Sequence, residues 1–204
     1  MNHSPSPSHG RLIIISGPSG AGKSTVVKTL LNVAELPLEL SVSATTRAPR
    51  AGEVDGRDYY FLSQTEFARR RLAGDFLECK EVFGRGDWYG TLRSVVGSGL
   101  ERGKWLILEI DVQGAMAIID SENPITIFVH PGSMEALEAR LRSRGTEEES
   151  AIQRRLEVAR EEMSQRHRYR HEVINDDLDA TVAQMCKLLK QYQNQREIDP
   201  CSKN

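Results

Sequence analysis

The 204-residue sequence holds only three cysteines, Cys79, Cys186 and Cys201, an odd number set far apart. Such a set makes no metal-ligand spacing and no disulfide framework, and it points to a reducing compartment. No apolar run approaches the roughly 20 residues that a bilayer-crossing helix needs. The Ser/Pro-rich start, Met1 to Gly10, lacks the apolar core of a secretory signal and reads as a disordered extension. The polar end, Gln191 to Asn204, is expected to fray. With no exporting segment, the expected location is cytoplasmic. Neither sign of charge dominates, with 27 Lys+Arg against 29 Asp+Glu and a net charge of −2. That balance gives no global basic field for nucleic acid or a membrane surface, so anionic ligands must be held by local arginine clusters. No internal repeat is present.

Apolar strand-like and amphipathic helix-like segments alternate along the chain, which predicts an α/β fold with a mostly parallel sheet. Strands are expected at Leu12–Ser16, Leu40–Ser43, Phe76–Phe83, Trp105–Asp111, Ile125–Val129 and Glu172–Ile174. Helices are expected at Lys23–Val33, Gln64–Leu72, Leu92–Arg102 (ended by Gly103), Met134–Arg142, Glu147–Arg166 and Leu178–Lys190. Thr45–Phe61 is rich in Arg, Gly and aromatics and reads as a small inserted β lobe. Gly84-Arg85-Gly86-Asp87 reads as a turn.

Directly after the first apolar strand comes Gly17-Pro18-Ser19-Gly20-Ala21-Gly22-Lys23-Ser24-Thr25. This is Gly-x4-Gly-Lys-Ser between a buried strand and a helix, the context a phosphate-binding loop requires. Gly17, Gly20 and Gly22 permit the tight curl that turns backbone N–H groups onto phosphate oxygens. Lys23 can reach the β- and γ-phosphates of a nucleoside triphosphate, and the Ser24 hydroxyl can ligate Mg²⁺. Kinases, GTPases and ATPases share such a loop. The N-terminus of the following helix adds to the anion site.

Three further groups carry chemistry. Glu109 and Asp111 end an apolar strand, where alternation is expected to put both on one side, facing the Mg²⁺ site directly or through water. Arg47 and Arg50 lie on a Pro- and Gly-bent segment and can clamp a second phosphate, although alone such a pair is more often a solvated surface. Arg140 and Arg144, four apart on one helix, precede a Gly-containing polar segment that reads as a lid. Arg154, His167 and His171 are expected to face solvent. Asn175, in Asn175-Asp176-Asp177, either contacts a nucleotide or orders its turn.

The run Ser41-Val42-Ser43-Ala44-Thr45-Thr46-Arg47-Ala48-Pro49-Arg50-Ala51-Gly52-Glu53, continuing to Asp58-Tyr59-Tyr60-Phe61, resembles the monophosphate-binding segment of guanylate kinases. The likeness extends through Phe76-Leu77-Glu78, Trp88-Tyr89-Gly90-Thr91, Glu109-Ile110-Asp111-Val112-Gln113-Gly114, Arg140 to Thr146 and Val173 to Asp177. It spans about Leu12 to Leu189 with every motif in order.

The resemblance implies a three-layer α/β/α phosphate-loop kinase with an inserted β lobe for GMP (about 44–92) and a helical lid (about 142–156). These belong to one domain over 11–190. The implied reaction is transfer of the ATP γ-phosphoryl group to GMP with Mg²⁺, by a monomer or a homodimer. Arg47, Arg50, Tyr59 and Tyr89 would hold the GMP phosphate, braced by Glu53, while Ser43, Glu78 and Thr91 would read guanine. Glu109 and Asp111 would lie on the substrate side. Lys23, Arg47, Arg140, Arg144 and Arg155 would neutralise charge on the transferred group, and Asn175 would serve the ATP side. One carboxylate, Glu78, can accept both N1–H and N2–H₂ of guanine, whereas the N1 lone pair of adenine would be repelled.

Two departures stand out. Glu109 occupies a position where the resemblance implies Asp, and the turn through Gly84–Gly90 is longer than usual, with Trp88 in place of Tyr. Among rivals, guanylate-kinase-like binding modules tend to have damaged phosphate loops, and this chain retains Gly17, Gly22, Lys23 and Ser24. A kinase of another base specificity is opposed by Ser43, Glu78 and Thr91. A GTPase switch is opposed by the lack of an Asn-Lys-x-Asp motif.

Overall fold

A computed structural model describes residues 10–82, 86–120, 123–143 and 148–198. The chain forms two compact units, one of residues up to Ile15 with Pro37–Thr126, the other of Ser16–Leu36 with the residues from Ile127 onward. The expected 1–10 extension and the end of the 191–204 tail fall largely outside the described residues.

In the first unit, β1 (Arg11–Ser16) pairs in parallel with β7 (Trp105–Glu109), and β7 pairs in parallel with β2 (Leu38–Leu40). Ile13, Ile14, Ile15, Leu106, Ile107 and Leu108 are buried, as near-continuous apolar runs in a parallel sheet covered on both faces should be. A second, four-stranded sheet has the order β4-β3-β6-β5, from β3 (Ala44–Thr45), β4 (Tyr60–Phe61), β5 (Phe76–Val82) and β6 (Asp87–Leu92). Its core is Ala44, Phe67, Phe76 and Leu92, with Phe67 and Phe76 stacked at 4.4 Å between centroids. Phe67 comes from α2 (Gln64–Leu72), whose first turn is capped by Ser63 Oγ accepting from Glu66 N at 3.1 Å. Helices α3 (Arg93–Glu101) and α4 (Val112–Ile118) complete this unit.

In the second unit, the phosphate loop leads into α1 (Lys23–Val33). The fully buried β8 (Ile125–His130) pairs in parallel with β9 (His171–Ile174). Helices α5 (Met134–Ser143) and α6 (Glu149–Ser164) pack through Leu137, Leu141, Ile152 and Leu156. Arg142 of α5 bridges both carboxylate oxygens of Glu149 on α6 at 2.5 and 2.7 Å, which holds Glu149 down at a pKa of about 2. The final helix is α7 (Leu178–Ile198), which packs on α1. No described helix is long and apolar enough to cross a membrane.

The α/β class with a mostly parallel central sheet is the one expected. Local differences have identifiable causes. Pairing of β2 with β7 begins earlier than expected, with the Pro37 carbonyl accepting from Trp105 N at 2.9 Å. Its last backbone bond is from Ser41 N to the Ile107 carbonyl at 2.9 Å, so the strand spans Leu38–Leu40 and does not run over 40–43. Asp87–Gly90 is not turn but part of β6, its register fixed by pairing with β5, and β6 absorbs Leu92, so α3 starts at Arg93. The predicted strand over 105–111 stops at Glu109. Asp111 instead caps α4, its Oδ1 accepting from Gly114 N at 2.8 Å, so strand alternation does not relate it to Glu109. The predicted helix over 147–166 spans Glu149–Ser164, with a separate turn at Arg166–Arg168, and Glu147 lies outside the described residues. Helix α7 continues to Ile198 where a frayed tail is expected. On it, the Tyr192 hydroxyl lies 2.6 Å from His171 Nε2, so His171 is half-buried, not solvent-facing.

Candidate active site

The phosphate loop of the second unit is shaped by steric exclusion. Gly17, Gly20 and Gly22 have φ of 140°, 96° and 86°, a region that L side chains rarely adopt. A Cβ on Gly17 would lie 2.0 Å from the Val129 carbonyl oxygen, and one on Gly22 would lie 2.5 Å from Asn175 Nδ2. Gly22 is the N-cap of α1 and makes no side-chain cap to the first turn of the helix. The Lys23 ammonium donates to the carbonyls of Gly17 at 2.7 Å and Pro18 at 2.9 Å, arching back over the loop. Ser24 and Thr25 are exposed in the first turn of α1.

Neighbouring elements of the same unit brace the loop. Buried Asn175, just past β9, donates from Nδ2 to the Ala21 carbonyl at 2.7 Å. Its own Oδ1 accepts from Thr181 Oγ1 at 3.3 Å. Arg140 on α5 donates to the Asn175 carbonyl at 2.5 Å and to the Ala21 carbonyl at 3.4 Å. Arg155 on α6 donates to Ser19 Oγ at 2.8 Å. Arg140, Arg155 and Asn175 thus converge on one loop from three elements.

The first unit holds a pocket of about 180 Å³ beside the four-stranded sheet. Ser43, Tyr59, Glu78, Tyr89, Glu109 and Asp111 line it, together with Lys80, Gly90 and Ile110. Glu78 on β5 faces Thr91 on β6, and the Thr91 hydroxyl donates to Glu78 Oε1 at 2.7 Å. Burial pushes the Glu78 carboxyl above the ordinary carboxylate range, and the Thr91 hydrogen bond pulls the other way. Burial likewise raises the Tyr59 phenol.

At the rim, Arg47 makes a two-pronged pair with Glu53, Nη1 to Oε2 at 3.0 Å and Nη2 to Oε1 at 2.9 Å. Its Nε donates to the Tyr89 hydroxyl at 3.1 Å and Nη1 also donates to the Ala48 carbonyl at 2.7 Å. The guanidinium sits 5.4 Å from the Tyr59 ring centroid. The hydrogen bond to Glu53 holds Arg47 still more firmly protonated and keeps Glu53 below its ordinary value. Glu53 also accepts from the Arg50 backbone N–H at 2.7 Å, leaving the exposed Arg50 side chain out of this knot.

The guanylate kinase family model matches residues 9–192. The chain belongs to the guanylate kinase family. A guanylate kinase of Rhodopirellula baltica is 60% identical over 197 residues, which cover 96% of this chain and 93% of that protein. One from Caldanaerobacter subterraneus is 47% identical, covering 85% of this chain and 83% of the other. The crystal structure of guanylate kinase from Anaplasma phagocytophilum matches with a TM-score of 0.70 and 34% identity, covering 91% of this chain and 87% of that one.

Within this family member, the residues singled out in the sequence gather in two groups. Gly17–Thr25, Arg140, Arg155 and Asn175 meet in the second unit, and Ser43, Tyr59, Glu78, Tyr89, Glu109 and Asp111 meet in the pocket of the first. Arg144 lies outside the described residues, as do Gly84 and Arg85 of the long turn. Thr91 is 1% exposed and spends its hydroxyl on Glu78, so it acts on the carboxylate and does not line the pocket. Lys80 was not singled out by the sequence reading. The available signal was strand period: Lys80 follows Glu78 by two on β5, so both point to one face.

Proposed function

We propose that the chain transfers the γ-phosphoryl group of ATP to GMP, giving ADP and GDP, with ATP on the phosphate loop and GMP in the pocket of the first unit. The observation that carries the base assignment is Glu78. It is a carboxylate inside a pocket, one oxygen fixed by Thr91 and the other facing the α4 start. Guanine alone among the common bases presents N1–H and N2–H₂ as adjacent donors to such a group.

The side-chain inventory divides the phosphate-holding work. Arg47 has five N–H donors, and four are engaged by Tyr89, Ala48 and Glu53. Arg47 is therefore a pre-oriented donor with one N–H to spare, and the clamp on the GMP phosphate is the exposed Arg50 side chain. Tyr59 and Tyr89 complete that end. The GMP phosphate oxygen attacks the γ-phosphorus in line, and no protein nucleophile takes part. Lys23, Arg140 and Arg155, together with Arg144, supply positive charge to the transferred group.

Mg²⁺ suits the donor set. Ser24 offers one exposed hydroxyl at the α1 start, and the described residues contain no group of three or more His, Cys, Asp or Glu able to hold a metal unaided. Mg²⁺ keeps several waters and relies on few protein ligands plus substrate phosphates. Bound through Ser24 and the nucleotide, it would offset charge on the β- and γ-oxygens. The reaction belongs to purine nucleotide metabolism, returning GMP to the diphosphate level, and cytoplasmic location fits it. Incubation with γ-³²P-ATP and GMP tests the reading. Label is expected in the β-phosphate of GDP, and label released only as inorganic phosphate would overturn it.

A further inference from the structure

Lys80 has no part in the roles above, yet its side chain lines the GMP pocket and is the only cation among the described residues to do so. Strand β5 puts Lys80 and Glu78 on one face and Cys79 on the other, where Cys79 packs against the core of the lobe. The Lys80 ammonium forms a salt bridge with Asp111 Oδ2 and lies 3.5 Å from Gln113 Oε1. The second oxygen of Asp111 is committed to Gly114 N as the cap of α4. Gly114 in turn backs onto Glu78, because a Cβ there would come within 3.1 Å of Glu78 Oε2. A continuous set of contacts thus runs from Lys80 through Asp111 and the first turn of α4 to the carboxylate.

We propose that Lys80 is a positioning residue for base selection: by pinning Asp111 it seats the first turn of α4 against β5 and keeps Glu78 aligned on the N1–H/N2–H₂ edge of guanine. This rests on the assignment of the pocket to GMP. Thr91 fixes one Glu78 oxygen only, so the carboxylate can still pivot unless the α4 surface limits the other. Lys80 also offsets charge in a pocket lined by Glu78, Glu109 and Asp111. That electrostatic effect acts alike on every purine monophosphate. Alignment of Glu78 weighs most on a base that carries the 2-amino group beside N1–H, whereas IMP keeps N1–H but lacks that group and so depends on the alignment for one contact instead of two.

The ratio of kcat/KM for GMP to that for IMP therefore separates the two. It is to be measured in the parent enzyme and in K80M, K80R and E78Q. E78Q is expected to abolish most of the preference for GMP. K80M is expected to reduce it about tenfold with KM for ATP unchanged, and K80R to retain most of it. If K80M slows GMP and IMP by the same factor while E78Q removes the preference, Lys80 supplies only charge or support and the positioning role is overturned. If E78Q leaves the preference intact, the base-reading assignment falls and the Lys80 inference falls with it.

Discussion

The Thr91 hydroxyl donates across 2.7 Å to Glu78 Oε1, from β6 to β5, inside a lobe whose burial works against the charge it supports. The hydrogen bond favours the ionised form, and burial favours the neutral one. The ionised form presents only acceptors to the guanine N1–H and N2–H₂ donors, whereas protonation turns one oxygen into a competing donor. So kcat/KM for GMP should fall on acidification, with its midpoint above the ordinary carboxylate range. Thr91→Val keeps the shape and removes the hydroxyl. Its acid limb should move to higher pH, and the fold should lose about 1–2 kcal/mol. A pH–rate profile in which the limb stays in place contradicts this role for Thr91.

Glu78 also has a stability consequence with a definite sign. Its folded-state pKa is raised, so its favourable contribution is complete below the unfolded-state value and is lost as pH rises through the folded-state value. At neutral pH the charged carboxylate therefore costs stability. Glu78→Gln, which can still accept from Thr91, should raise Tm by about 2–4 °C while turnover of GMP collapses. A lowered Tm at neutral pH would show that the buried charge is compensated by contacts beyond those identified.

Gly17→Ala should be severe. The added methyl would sit 2.0 Å from the Val129 carbonyl oxygen at a φ of 140°. Backbone must move, at a cost of about 2–4 kcal/mol, and ATP binding should be lost with it. Denaturant unfolding and nucleotide titration check this together. Stability within 0.5 kcal/mol of the parent, roughly the level of a neutral surface change, would contradict the loop geometry.

Asn175→Ala removes the donor to Ala21 and leaves that carbonyl with only the long contact to Arg140. KM for ATP should rise about tenfold, the equivalent of one lost buried hydrogen bond, with KM for GMP little changed. Arg50→Ala should do the reverse, raising KM for GMP and sparing ATP, because Arg50 lies at the lobe rim with Glu53 and Arg47. Steady-state kinetics with each substrate varied separately read both variants. Equal effects on the two KM values would dissolve the assignment of two sites.

The phosphate loop was legible in the sequence because its chemistry is contiguous. Gly17 to Ser24 carries the curl, the cation and the hydroxyl within one segment, between an apolar strand and a helix. The parallel strands at Ile13–Ile15 and Leu106–Leu108 were legible for a similar reason, as continuous apolar runs. Helix α4 was missed because Val112–Ile118 is short and contains Gly114, a poor helix former whose presence follows from the close approach of Glu78. Strand β6 was missed because Asp87 and Gly90 read as turn residues, whereas Gly90 is needed where its backbone meets Cys79 and Phe76. Lys80 and the cap role of Asp111 depend on how β5 meets α4, which no local pattern encodes. The resemblance supplied Glu78 and Thr91 together as base readers, and only the structure separates the carboxylate in the pocket from the buried hydroxyl that orients it.

The most direct test of the account is ADP formation from Mg·ATP with GMP, AMP, CMP and UMP offered separately to the purified protein. Turnover with GMP, and little or none with the other three, is the predicted result, since only guanine satisfies Glu78. Comparable turnover with AMP, or none with any of the four, would contradict it.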